Sequence, residues 1–477
     1  MAERIVVFAE RVVLGGGSHP LSVVPALLVI DGNRFESVEP MTRAELCERA
    51  LGEGEELVDL GDVLVSTSFV NGHTHLPMAA FRGIGGIAAM QGNVVEDVYY
   101  RIESSLSDDD IRAFTRIGGY ESLLSGVGTV WDHYYGGHAL ARGIADVGLT
   151  GVVAPTLQDL AGPGVSACDA QLAATLELAD DASLAAQGIV AALGPHASDT
   201  VSDQLWARVH ELAVDRDLPF HAHIAQSIEE YRRSLDRAGC SPIERLHRLG
   251  VLEDVPHAVL VHGIYVSASD LELLDRDNHT LGFCPYSQLQ FSFPAHVSSW
   301  TDAGLKWLVA TDCAASNDTM NVQQELRLVA GMRMTPTTAS LEYERFRRDG
   351  DLPTAEAVYR TRQADFDRHE RLGDPEFLLS RVWSIPGGMH PKLPVGVLEA
   401  GAWANFVVWD PDHPSLWPCR DPLRALVMCN TAPAIEWMMV SGQWIGSRGR
   451  FHQSLLEGGY ADALAEANGR LAKLGLS

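Results

Sequence analysis

Apolar positions along this chain follow two rhythms, and the change comes at Val63. Before it lie short β-branched runs at 5–8, 12–14, 26–30 and 57–60, parted by turn signals such as Gly15-Gly16-Gly17 and Asp31-Gly32. Such runs predict short strands joined by turns. After it, apolar runs at 63–70, 127–131, 151–155, 189–193, 220–224, 258–261, 281–283 and 307–310 alternate with helix-like stretches, among them 108–124, 202–214 and 228–237. Eight buried strands interleaved with helices predict an α/β fold, a (β/α)8 TIM barrel. Residues 342–379 are rich in charge and read as helix and loop, and strands return at 405–409, 425–428 and 437–440. Strands on both sides of one barrel predict a small composite β-sandwich domain from residues 1–62 and 388–450, a barrel at 63–387 and a helical segment at 451–477.

In a barrel of this kind, reactive groups sit at the carboxyl ends of the strands. His73 and His75 end the first run; residues i and i+2 of a strand point the same way, so both imidazoles can meet one metal ion. Asp132 and His133 end the second, His196 follows the fourth, and His221 and His223 lie in the fifth. His262 ends the sixth and Asp312 follows the eighth. The chain has 18 histidines, and random scatter would rarely mark so many strand ends.

Composition narrows the partners. With 477 residues and 46% hydrophobic content, a large core is expected. A formal net charge of −27 repels phosphate backbones, which argues against nucleic acid or an anionic membrane as partner. Seven scattered cysteines without a CxxC suggest neither a disulfide framework nor a cysteine zinc knuckle, and fit a reducing cytoplasm. No signal peptide and no apolar run long enough to span a bilayer is expected.

With Leu193-Gly194-Pro195-His196, His221-Ala222-His223-Ile224-Ala225, Val261-His262, Thr311-Asp312-Cys313-Ala314-Ala315-Ser316-Asn317 and the closing stretches 396–401 and 404–410, the chain resembles the amidohydrolase superfamily over nearly its whole length. The likeness is to the mononuclear-metal deaminase and triazine-hydrolase branch, which holds cytosine, guanine and methylthioadenosine deaminases. The resemblance implies His73, His75, His223 and Asp312 as metal ligands, His262 beside the reacting centre and His196 in the substrate pocket. Strand four offers no terminal lysine to bridge two metals, so one divalent ion is expected. Zinc suits a three-histidine, one-aspartate set with an open position; iron and manganese are the alternatives. Such an ion acidifies water, Asp312 is in reach to take the proton, and His262 can stabilise the tetrahedral centre. A homodimer is implied by the resemblance alone. Asn405 stands where the family has aspartate, with little consequence expected for the chemistry.

One position departs from the branch. Its glutamate three residues after the strand-five histidine, the general acid for a ring nitrogen, is Gln226 here. An amide donates a hydrogen bond but cannot deliver and recover a proton at neutral pH. Three readings follow: hydrolytic deamination of an aminated purine, pyrimidine, pterin or triazine with protons handled by Asp312, His262 or Asp132; displacement of another ring substituent such as chloride; or a metal-binding relative without turnover. Deamination is the first of these. Gln226, Asp132 and Arg82 join His196 as candidate substrate contacts. His221 reads as a packed core histidine, Cys313 as a small buried filler, and Tyr286 and Phe291 as rim or core rings able to stack on a planar ligand.

Overall fold

The computed structural model describes residues 4–17, 19–52, 54–84, 92–333 and 335–476. The sequence opens with β1 (Arg4–Gly16), β2 (His19–Asp31), β3 (Arg34–Pro40) and β4 (Glu55–Thr67). The central strands are β5 (Phe69–Thr74), β6 (Val127–Tyr134), β7 (Thr150–Leu157), β8 (Ile189–Ala191), β9 (Gly194–Pro195), β10 (Phe220–Ile224), β11 (Ala258–His262), β12 (His279–Phe283) and β13 (Lys306–Val309). The last three are β14 (Phe406–Trp409), β15 (Ile435–Val440) and β16 (Gln443–Ile445).

Strands from opposite ends of the sequence share one seven-stranded sheet, ordered β16-β15-β14-β4-β1-β2-β3. Period-two alternation gives each face its own core. Val7, Leu28, Ile30, Phe406 and Val408 pack on one side, while Val6, Phe8, Leu27 and Val29 pack with Leu46 on the other. The apolar run at 63–70 is not one element: β4 ends at Thr67 and β5 starts at Phe69. No turn residue marks the junction, so hydrophobicity alone reads across it. The run at 425–428, expected as a strand, is the helix Pro422–Met428. Its Asp421 side chain accepts from the Arg424 backbone and Pro422 occupies the first turn, which are helix-start signals that outweigh a short apolar run.

The central strands form two parallel sheets, β5-β6-β7-β8 and β10-β11-β12-β13, with β9 paired to the end of β7. Isolated parallel bridges join them at both seams: Leu193 with Phe220 and Ala197 with His223 on one side, Thr74 with Asp312 on the other. The ring is the (β/α)8 barrel expected from the sequence. Its helices include Asp108–Leu124, Asp203–Arg216 and Ile228–Ala238, entered through Ser107, Ser202 and Ser227 caps. The Ser227 cap stands three residues past β10 and holds Gln226 in the strand-to-helix loop.

Asn405 fastens the sheet to the barrel floor. Its Nδ2 donates to Thr150 Oγ1 at 2.8 Å and Thr129 Oγ1 at 3.1 Å, and its Oδ1 accepts from the Ser441 backbone at 2.7 Å. Among the described residues, no helix is long and apolar enough to cross a membrane.

Candidate active site

The carboxyl ends of β5, β10 and β13 bring four side chains together. His75 Nδ1 donates to the His133 carbonyl at 2.5 Å, and His223 Nδ1 donates to the His196 carbonyl at 3.0 Å. A carbonyl can only accept, so each ring carries its proton on Nδ1 and turns a lone pair on Nε2 inward. Those two Nε2 atoms lie 3.3 Å apart. His73 Nδ1 is engaged by His221 Nε2 at 2.8 Å, which makes His221 the core partner expected of it. Asp312 Oδ1 lies 3.5 Å from His73 Nε2 and 3.4 Å from His75 Nε2.

The donor set fits a divalent cation. His73 Nε2 is fully buried without a hydrogen-bond partner, and two inward lone pairs at 3.3 Å repel unless a cation lies between them. Ligand atoms of His73, His75 and Asp312, and of His73, His223 and His262, each fall within 4.8 Å of one another. Burial drives His73 down to about 3 and His223 well below the ordinary imidazole value, so both stay neutral, as a metal ligand must. Burial also lowers His262 to about 4 and His196 to about 3. For His75, burial pulls down but the Asp312 carboxylate outweighs it and the net shift is upward. Burial pushes Asp312 up, yet the adjoining imidazoles of His73 and His75 hold it well below the usual carboxylate range.

The seam around Asp312 is heavily tied. Asn71 Nδ2 donates to Thr311 Oγ1 at 2.7 Å, Asn317 Nδ2 to the Thr311 carbonyl at 2.6 Å, and the Asp312 backbone to the His73 carbonyl at 3.2 Å. Asp312, His262 and Ala225 adopt positive φ of 62°, 80° and 50°, a region non-glycine residues seldom enter and active sites often hold.

Above the four side chains opens a cavity of about 310 Å³, bordered by His196, Gln226, His262, Phe291 and Cys313. His196 is oriented by Thr200 Oγ1 at 2.9 Å, and the Gln226 backbone donates to Glu230 Oε2 at 2.8 Å. His262 Nδ1 is buried and unpartnered. Two expected substrate contacts do not border the cavity. Asp132 is fully buried beneath the site, where its Oδ2 accepts from the Leu76 backbone at 2.7 Å and its charge acts on His75. Arg82 is half-exposed and turned aside into an ion pair with Glu121. The neighbouring Gly85-Gly86 lies outside the described residues. Tyr286 is likewise off the cavity, at 39% exposure. Burial raises the Cys313 thiol, in keeping with an inert filler.

Sequence reasoning missed two residues, Ser287 and Glu103. Ser287, on the short helix Pro285–Phe291, donates to Asp312 Oδ2 at 2.6 Å, and Ser316 Oγ lies 3.2 Å from the same oxygen. Glu103, on the helix Tyr100–Glu103, brings a carboxyl into the cavity near His75 and Tyr134, and burial pushes it up to about 7. Neither stands at a strand end, so neither carried a positional signal.

Residues 64–359 match the model of the amidohydrolase family. The chain belongs to the amidohydrolase family. The match takes in the barrel and all four converging side chains. Among relatives, this amidohydrolase is 24% identical to a 5-methylthioadenosine/S-adenosylhomocysteine deaminase of Thermococcus kodakarensis over 425 residues, 89% of this chain and 90% of the relative. It is 23% identical to a 5'-deoxyadenosine deaminase of Methanopyrus kandleri, covering 95% of each. Its fold matches a zinc-bound adenosine deaminase from Xanthomonas campestris with a TM-score of 0.79 at 20% identity, over 99% of each chain. It also matches a zinc-complexed atrazine chlorohydrolase from Arthrobacter aurescens with a TM-score of 0.76 at 20% identity, over 97% of this chain and 100% of that one.

Proposed function

We propose that this amidohydrolase hydrolyses a carbon–nitrogen bond of an aminated aromatic heterocycle, releasing ammonia. One observation carries the reading: inward imidazole lone pairs and one carboxylate converge on the floor of a ring-sized cavity. The deaminase names of its relatives point the same way.

His73, His75, His223 and Asp312 would hold one divalent ion, zinc before iron or manganese. Bound there, the ion would supply the Lewis acidity that makes water a nucleophile at neutral pH. The chain's own groups do the rest. Asp312, its Oδ2 steadied by Ser287, takes the proton from the attacking water. A carbon–oxygen bond forms, the exocyclic carbon–nitrogen bond breaks, and the amine leaves as ammonia with a proton returned from Asp312. His262, which borders the cavity, offers a ring nitrogen to charge developing at the reacting centre, and His196 and Phe291 confine the ring. Gln226 orients the ring through its amide but moves no proton.

Gln226 also favours a second reading, displacement of a group that departs without protonation, such as chloride. We further take the enzyme to act as a homodimer in a reducing cytoplasm; its seven cysteines are all unpaired, which suits that compartment.

A panel of aminated and chlorinated purines, pyrimidines, pterins and triazines, assayed for ammonia and chloride with metal content measured in parallel, tests the proposal. Ammonia release that is lost on chelation and restored by zinc is expected. Chloride release alone would establish the second reading. A metal-free protein, or a metal-loaded one inert toward the whole panel, would overturn both.

A further inference from the structure

The walls of the cavity carry a one-sided charge pattern. Glu96, Glu103, Asp199, Glu229 and Asp312 border it, and among the described residues no lysine or arginine does. Asp312 belongs to the cation centre. Glu96 and Asp199 share one guanidinium, Arg233, at 2.6 and 2.8 Å, so the trio keeps one net negative charge. Glu103 and Glu229 border the cavity with no arginine or lysine beside them there. Glu96, Asp199 and Glu229 are half-buried, whereas the histidines below are buried, so this charge lies toward the mouth.

Aromatic faces complete the pattern. Tyr99, Tyr100, Tyr134 and Tyr265 border the same space, and an aromatic face attracts a cation through its quadrupole. The Tyr99 hydroxyl is buried without a hydrogen-bond partner, although the residue opens on the cavity. Low-dielectric walls concentrate the field of one sign of charge. A cation beside Glu103 would favour its ionised form.

We propose that the cavity selects a planar substrate bearing a positive charge on the side away from the reacting carbon, such as an aminoalkyl or ammonium substituent, and excludes carboxylated and phosphorylated analogues. The inference rests on reading this cavity as the substrate site and adds the charge class of the substrate. Zwitterionic and nucleotide substrates find no cationic anchor among the described lining residues.

The test uses probes that undergo no reaction, titrated calorimetrically into the metal-loaded enzyme: benzyltrimethylammonium, benzyl alcohol and benzylsulfonate. The cation should bind at least about tenfold tighter than the alcohol, and the sulfonate weakest of the three. Glu229→Gln and Glu103→Gln should each weaken the cation about threefold or more while leaving the alcohol unchanged, which separates the cavity from the generally acidic surface. Equal affinities for the three probes, tighter sulfonate binding, or cation binding indifferent to both variants would overturn the proposal. Ammonia release from neutral heterocycles without cation preference would remove the charge rule and leave the hydrolase reading intact. Cation binding in a protein that turns over no heterocycle would do the reverse.

Discussion

Ser287 donates its hydroxyl hydrogen to Asp312 Oδ2 at 2.6 Å, leaving Oδ1 turned toward His73 and His75. One oxygen of the carboxylate is thus fixed by a neighbouring helix and the other is free for the centre. Ser287→Ala should lower metal affinity about 10- to 100-fold, the range for losing a partner that orients a ligand. Competition against a chelator of known affinity measures it, with Ser287→Thr expected to recover much of the loss.

His223→Ala and Asp312→Ala should each abolish metal retention and turnover together. Elemental analysis of never-chelated protein is the readout. Full occupancy in either variant would contradict the ligand set.

Gln226→Glu should keep its metal, because Gln226 borders the cavity and its backbone, not its side chain, holds Glu230. The added carboxyl gives a proton donor, so deamination should rise relative to chloride displacement, read as the ratio of ammonia to chloride released from matched substrates. Loss of metal in this variant would place the side chain inside the ligand sphere.

Asn405→Ala removes two donors and one acceptor from a buried junction. A loss of about 1–3 kcal/mol in denaturant unfolding is expected, since the Ser441 amide is left without its partner. Metal content should not change, as the residue lies at the opposite end of the barrel from the ligands.

His257 and His390, both remote from the site, contribute to the acid limb of stability. Burial holds them at about 3 and about 4, against 6.5 in the unfolded chain. Between those values the unfolded state binds more protons, so stability rises with pH and is lost as pH falls from 6.5 toward 4. Each can add a slope of up to about 1.4 kcal/mol per pH unit. Melting temperature against pH should flatten in His257→Gln and His390→Gln; an unchanged slope would mean neither resists protonation.

What could be read from sequence alone followed from how local each cause was. The span 108–124 was legible as helix Asp108–Leu124 because Ser107 and Asp110 form a capping box at its start, and β10 because Phe220–Ile224 is a short bounded apolar run. The four converging side chains were legible because barrel strands deliver their ends to one face. Ser287 and Glu103 were not, since each reaches the site from a short helix whose approach depends on packing over long sequence distances. That Arg82 and Asp132 stand off the cavity was not legible for a related reason: proximity along the chain to His75 does not say whether a side chain turns toward the cavity, toward Glu121 or under the ring.

The shared sheet also sets a timetable for synthesis. β4 has β1 on one side and β14 on the other, and β14 is encoded more than three hundred residues later. Until that strand emerges from the ribosome, the backbone of residues 64–67 faces solvent as an apolar edge able to pair with any extended neighbour. A nascent chain of this protein therefore carries an adhesive border through most of its translation, and chaperone occupancy should fall only once residue 409 has cleared the exit tunnel.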